Sequence, residues 1–157
     1  MNESSSNDAT FDNQLEATKS QLLLVEDQQD VRAVFSPMLS SQGFHVHEAA
    51  TLESAIEFCK QQLPAVALVD ADLDGDDGMA LGCLIRGTPG GAKVVLGALT
   101  GNESATSRQK ARKCGFDFYF IKPVKIKEVC EVINDRLSGT PSPVSYTHLT
   151  LPTILLV

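Results

Sequence analysis

Four short apolar runs divide this 157-residue chain, and each ends in a polar residue capable of chemistry. Leu22–Val25 leads into Glu26 and Asp27, and Ala65–Val69 into Asp70. Val94–Leu99 leads into Thr100, and Phe116–Ile121 into Lys122 and Pro123. Runs of this length, rich in branched and aromatic residues, read as buried strands. Between them the apolar positions change period. Val31, Val34, Phe35, Met38 and Leu39 recur at helical spacing before Gly43, a left-handed stop. Phe44–Glu48 follows as a short strand, and Leu52–Gln62 as a helix with Leu52, Ala55, Ile56 and Cys59 on one side. A short helix is expected near Met79–Arg86, a turn through Gly87–Gly91, and a polar helix over Glu103–Cys114 closed by Gly115. Ile126, Val129, Cys130, Ile133 and Leu137 mark a last helix. Five strands alternating with five helices predict a doubly wound α/β sandwich with right-handed crossovers.

That topology has a chemical consequence. Open parallel sheets bind ligands beyond the carboxyl ends of their strands, so three carboxylates, a hydroxyl and an ammonium should gather on one edge. Two like charges about 4 Å apart repel by on the order of 4 kcal/mol at an effective dielectric near 20. A fold keeps such a cluster where a cation resides. Oxygen donors without nearby His or Cys suit Mg²⁺, and a divalent ion beside a carboxylate suits phosphoryl transfer. Asp70 is then the candidate nucleophile, Lys122 a second cation, and Thr100 a hydroxyl donor.

Taken together, these residues resemble response-regulator receiver domains over almost all of Gln21–Leu137. The resemblance rests on Glu26-Asp27, Asp70, Thr100, Lys122-Pro123 and the intervals between them, with Tyr119 on the family's aromatic switch position. It implies a flavodoxin-like five-stranded parallel sheet of order 2-1-3-4-5 with helices on both faces. It implies that Asp70 is the phosphoacceptor, charged by a histidine kinase or histidine phosphotransfer protein, and that Glu26, Asp27, Asp70 and the Asp72 backbone carbonyl bind Mg²⁺. Lys122 would pair with phosphoryl oxygens, its bond to Pro123 being cis. Thr100 would swing toward the phosphate and let Tyr119 turn inward, so that the surface of the fourth helix, fifth strand and fifth helix addresses a downstream protein. Asp72 and Asn102 occupy positions that tune hydrolysis in the family. Asp74 and Asp76 depart from its usual Pro and Met, giving an acidic loop read as a solvated rim.

Composition narrows the partners. A net charge of −7 argues against direct binding to nucleic acid or an anionic membrane. Cys59, Cys83, Cys114 and Cys130 form no CxxC and read as free thiols in or near the core, which fits a reducing cytoplasm. Residues 1–20 read as a polar leader, 21–137 as the receiver, and 138–143 as a Ser/Gly/Pro linker. Residues 144–157, opening Val144-Ser145-Tyr146-Thr147-His148, read as translated transposon-type sequencing adaptor, the alternative being a native β-prone tail. The function expected is that of a stand-alone signalling or phosphotransfer protein; the alternative, which the adaptor reading leaves open, is the N-terminal receiver of a longer regulator whose output domain is missing. In neither case is a metabolic enzyme expected, beyond self-phosphorylation and autodephosphorylation at Asp70.

Rival readings are weaker. Asp70-x-Asp72-x-Asp74-Gly75 opens like an EF-hand, but Leu81 stands where the bidentate Glu belongs. Asp70-Ala71-Asp72 also resembles a haloacid-dehalogenase-type phosphatase, though the acidic pair precedes the nucleophile and no cap fits. A docking module that has lost phosphorylation would not need the intact Asp27, Asp70, Thr100 and Lys122. His45 and His47 read as exposed strand residues, Phe116, Phe118 and Phe120 as sheet core, and Lys125 and Lys127 as a solvated helix start.

Overall fold

The computed structural model describes residues 19–139 and 154–156. Strand β1 (Ser20–Val25) leads through α1 (Gln29–Ser41) to β2 (Phe44–Ala49), and α2 (Leu52–Gln61) leads to β3 (Val66–Asp70). Then come α3 (Ala80–Arg86), β4 (Val95–Thr100), α4 (Ala105–Lys113), β5 (Phe118–Ile121) and α5 (Ile126–Ser138). These five strands are parallel in the order β2-β1-β3-β4-β5, as the resemblance implied.

Alternation along each strand splits the core in two. Leu22, Leu24, Val66, Leu68, Leu99, Phe118 and Phe120 face one side with Leu39 of α1 and Ile126, Val129 and Ile133 of α5. Leu23, Val25, Ala67, Val69, Leu96, Ala98, Tyr119 and Ile121 face the other, with Ala55, Leu81, Ile85 and Ala111 from α2, α3 and α4. Every residue of β3 and β4 is buried, which is why those runs carry no polar residue until their last position. Gly97 is needed inside β4, because a Cβ there would sit 2.7 Å from the Phe120 ring and 2.9 Å from Leu68 Cδ2.

The helices differ in how firmly they are held. A capping box joins Thr51 and Ser54 at the start of α2. Helix α4 buries only Ala111 among its nine residues and relies on Ser104, whose hydroxyl accepts from Ser107 N–H at 3.1 Å. At the amino ends of the strands, Arg86 donates to the carbonyls of Gly91, Val94 and Gly115 at 2.6–2.9 Å and to Asp117 Oδ2 at 3.0 Å. Asp117 also accepts from Leu96 N–H at 2.9 Å and from Arg136 at 2.8 Å. One carboxylate thus ties together α3, β4, the start of β5 and α5.

Several expectations are revised. The acidic loop contains a small antiparallel hairpin, Asp72–Leu73 against Asp76–Asp77, turning at Gly75 with φ +79°. Strand β5 begins at Phe118 rather than Phe116, which is nonetheless buried core like Phe118 and Phe120. His45 and His47 are half-buried rather than exposed. Their rings stack at 4.8 Å, and His47 packs on Phe58 and meets Gln21 Oε1 at 2.6 Å. Burial, with His45 as the second cause, lowers the His47 pKa below the usual imidazole value. A sixth strand, β6 (Ile154–Leu156), pairs antiparallel with β5, so the sheet is not wholly parallel. It uses the backbone groups that an edge strand leaves unpaired, for which a short extended segment suffices. The leader through residue 18 and the tail residues 140–153 and 157, His148 included, lie outside the described residues.

Candidate functional site

The sheet edge gathers the residues that its strand ends predict. Glu26, directly after β1, is 1% exposed, and Asp70, the last residue of β3, is 2% exposed. With half-buried Asp27 they present carboxylate oxygens that all lie within 4.8 Å of one another. From the end of β5, Lys122 reaches back to place Nζ 3.0 Å from Asp70 Oδ2 and 4.0 Å from Glu26 Oε2. The Lys122–Pro123 peptide is cis.

Local backbone hydrogen bonds fix the acids. Asp70 Oδ1 accepts from Asp72 N–H at 2.9 Å, and Asp27 Oδ2 accepts from Asp74 N–H at 2.9 Å, joining the first strand's loop to the hairpin. Glu26 Oε1 accepts from Gln28 N–H at 3.2 Å. Gly78 closes the loop under β3, because a Cβ at that position would lie 1.9 Å from the Asp70 carbonyl oxygen.

Glu26 Oε2 has no hydrogen-bond partner although it is buried. An ionised carboxylate so placed loses its hydration with little in return. Burial first, then the hydrogen bond that a protonated Glu26 would give Asp70, then the Asp70 negative charge, push the Glu26 pKa up from 4.5 to about 7. The Gln28 N–H and the Lys122 charge offset only part of that. An orphaned buried oxygen among three hard oxygen donors fits a small divalent cation, Mg²⁺ before a transition metal.

Thr100, the last residue of β4, is 1% exposed, and its Oγ1 accepts from Asn102 N–H at 3.0 Å. Tyr119 was expected to turn inward only once Thr100 moves, yet its ring is already fully buried. The reason is that its hydroxyl is satisfied there: it donates to the Asn102 carbonyl and meets Ser107 Oγ at 2.6 Å. Asn102 therefore joins the two hydroxyls, its N–H on Thr100 and its C=O on Tyr119. Beside them a cleft of about 520 Å³ runs between the hairpin and α4, lined by Asp76, Asp77, Asn102, Ser107 and Lys110 among others. Lys110 spans its wall to Asp77 at 2.5 Å. Sequence reasoning missed Ser107 and Lys110 as neighbours of the site; their helical spacing of three was the available signal.

Five parallel strands in this order, with an acidic cluster and a lysine at their carboxyl edge, are the arrangement that the resemblance to receiver domains implied. The chain belongs to the response regulator receiver domain family, whose model matches residues 22–134. It is thus a receiver domain of the two-component response-regulator class, a family that binds Mg²⁺ at its acidic site. It is 30% identical over 120 residues to an uncharacterized 14.6 kDa protein of Leptolyngbya boryana, covering 76% of this chain and 92% of that one. It is 29% identical to the transcriptional regulatory protein PhoP of Escherichia coli O157:H7, covering 78% of this chain and 56% of PhoP. The chain thus spans about half the length of that regulator. Among solved structures, the receiver domain of a sensor histidine kinase from Pseudomonas aeruginosa PAO1 is 29% identical, with a TM-score of 0.69 over 78% of this chain and all of that one. That receiver holds a magnesium ion in its active-site cleft. The chemotaxis response regulator CheY4 of Vibrio cholerae, 20% identical with a TM-score of 0.70 over 76% of this chain and all of that one, shares the fold.

The family match sets aside the phosphatase reading. The EF-hand reading fails on structure, since β3 stands where an entering helix would be required. Among the described residues, no helix is long and apolar enough to cross a membrane.

Proposed function

We propose that this domain accepts a phosphoryl group on Asp70 from a phosphohistidine of a histidine kinase or histidine phosphotransfer protein. The observation that carries the reading is Lys122 Nζ at 3.0 Å from an Asp70 carboxylate whose neighbour Glu26 keeps an unpartnered oxygen. In the transfer, an Asp70 carboxylate oxygen attacks phosphorus, the P–N bond to the donor imidazole breaks, and an aspartyl phosphate forms. Lys122, now paired with Asp70, exchanges that contact for a phosphoryl oxygen and stabilises the charge gathering there. Glu26, Asp27, Asp70 and the backbone carbonyl of Asp72 would hold Mg²⁺. When bound, the ion neutralises carboxylate and phosphoryl charge.

The switch runs through Asn102. When the Thr100 hydroxyl turns toward a phosphoryl oxygen it gives up the Asn102 N–H, and the Asn102 carbonyl holding Tyr119 moves with it. Since Tyr119 is already inward, phosphorylation shifts the position of the segment from Asn102 to Ser107 rather than the burial of the ring. The altered surface of α4, β5 and α5 would then address a downstream protein. The match to about half of PhoP supports a second reading, in which the domain is the input part of a longer regulator.

Acetyl phosphate with Mg²⁺ tests the chemistry. The wild-type chain should gain one phosphoryl group mapped to Asp70, lost with chelator and absent in Asp70→Asn. Undiminished labelling of Asp70→Asn would refute the assignment.

A further inference from the structure

Cys83 and Cys114 are 31 residues apart in sequence, yet their sulfurs stand 2.7 Å apart. Cys83 is exposed on α3, and Cys114 follows α4 as its half-buried C-cap. Neighbouring contacts hold them together. Gly82 lets the two backbones close up, because a Cβ there would lie 2.8 Å from the Cys114 carbonyl oxygen and 2.4 Å from the Phe116 ring. One turn on, Arg86 Nε donates to the Gly115 carbonyl at 2.9 Å. These ties flank the two thiols on both sides.

We propose that Cys83 and Cys114 are a redox-modification site, a dithiol that a peroxide or a small-molecule disulfide converts reversibly to an intramolecular disulfide pinning α4 to α3. Bond formation at about 2.05 Å asks the sulfurs to move by less than an ångström. With hydrogen peroxide, the Cys83 sulfur attacks an oxygen, the O–O bond breaks, and a sulfenic acid and one water result. Cys114 sulfur then displaces the second oxygen, so two thiols and one peroxide give one disulfide and two waters. With a small disulfide, Cys83 forms a mixed disulfide, Cys114 resolves it, and two small thiols leave. The order follows from exposure, and burial supports it by raising the Cys114 thiol to about 11.

The location gives the bond a consequence. Helix α4 buries only Ala111, and it carries Ser107 on Tyr119 and Lys110 on Asp77. A covalent tie at its C-terminal end restrains the segment that bears those contacts. Cys59 and Cys130 are buried, with thiol pKa values raised by burial, and serve as internal controls.

The reduced 157-residue chain treated with hydrogen peroxide, and separately with oxidised glutathione, tests this without any phosphoryl donor, independently of the phosphorelay reading. The expected product is a monomer lighter by two hydrogen atoms, yielding a Cys83–Cys114 cross-linked peptide and reversed by dithiothreitol. Its melting temperature should rise by roughly 10 °C, as closing a loop of this length constrains the unfolded chain. Cys83→Ser and Cys114→Ser should each lose the product, and the double variant Cys59→Ser with Cys130→Ser should keep it. Persistent alkylation of both thiols after oxidation, a stable mixed disulfide at Cys83, over-oxidation without cross-link, or cross-links only between chains would each overturn the proposal.

Discussion

Asp117, at the amino-terminal rim of the sheet, accepts from Arg86, Arg136 and a β4 backbone N–H, all within 3.0 Å. Glu26, at the carboxyl rim, is 1% exposed, yet one of its oxygens has no hydrogen-bond partner and only the Lys122 ammonium 4.0 Å away. The first rim half-buries its carboxylate and the second buries two, Glu26 and Asp70. At the first rim the surrounding donors outnumber the acid, which makes it a structural joint between helices and strands. At the second, Lys122 stands against Asp70 and Glu26, with Asp27 close by, so three carboxylates face one ammonium. The fully bonded carboxylate joins elements of the fold, and the rim that keeps a buried oxygen without a hydrogen bond is where a cation is proposed to bind.

The largest effect that could break this contrast is at the satisfied rim. Asp117→Ala leaves Arg86 partly unpaired and orphans Leu96 N–H, and should destabilise the fold by roughly 3 kcal/mol in denaturant titration. A change under about 0.5 kcal/mol would show that the network is incidental. At the unsatisfied rim the sign should reverse. Glu26→Gln, measured at pH 8 without divalent cation, should stabilise the domain by about 2 kcal/mol, since it removes a buried charge while keeping the size. Saturating Mg²⁺ should shrink that gain, because the variant gives up a ligand.

Acidity supplies a third test. Glu26 carries a folded pKa of about 7 against 4.5, so its neutral form is preferred in the native state. Its contribution is fully present below about pH 4.5 and is lost as pH rises through 7. Metal-free wild-type protein should lose stability over that window beyond what Glu26→Gln loses, and parallel profiles would contradict the assignment. The smallest effect is expected at the switch. Tyr119→Phe removes a hydroxyl shared with Asn102 and Ser107 and should cost about 1 kcal/mol, leaving Asp70 labelling by acetyl phosphate intact.

The sheet and the gathering of Glu26, Asp27, Asp70, Thr100 and Lys122 were legible because parallel strands bury both faces and spend their polar residues at one end. The periodicity of α2 and most of α5 was legible for the same reason: a buried stripe leaves a repeat. The repeat read for α1 found its helix but not its burial, since only Leu39 is buried there while Val34 and Met38 are exposed, as is Leu137 at the end of α5. Arg86, Asp117 and Arg136 left no repeat. They meet only after α3, β5 and α5 have packed, and the one hint was a charge, Asp117, inside an otherwise apolar run. Cys83 and Cys114 were equally silent, since their spacing of 31 residues is set by the crossover between them. The inward Tyr119 was misjudged because its partners are a loop carbonyl and a serine on another element, and sequence spacing does not reveal whether a hydroxyl finds them.

The most direct test of the central contrast is the melting temperature of the wild-type domain at pH 8 as Mg²⁺ is titrated in and then removed with chelator. A saturable rise of several degrees, reversed by chelator and lost in Glu26→Gln with Asp27→Asn, is the result expected if the carboxyl rim is held in uncompensated repulsion. An unchanged melting temperature, together with acid variants no more stable than wild type without metal, would show that the three carboxylates are already at ease and that the site awaits no cation.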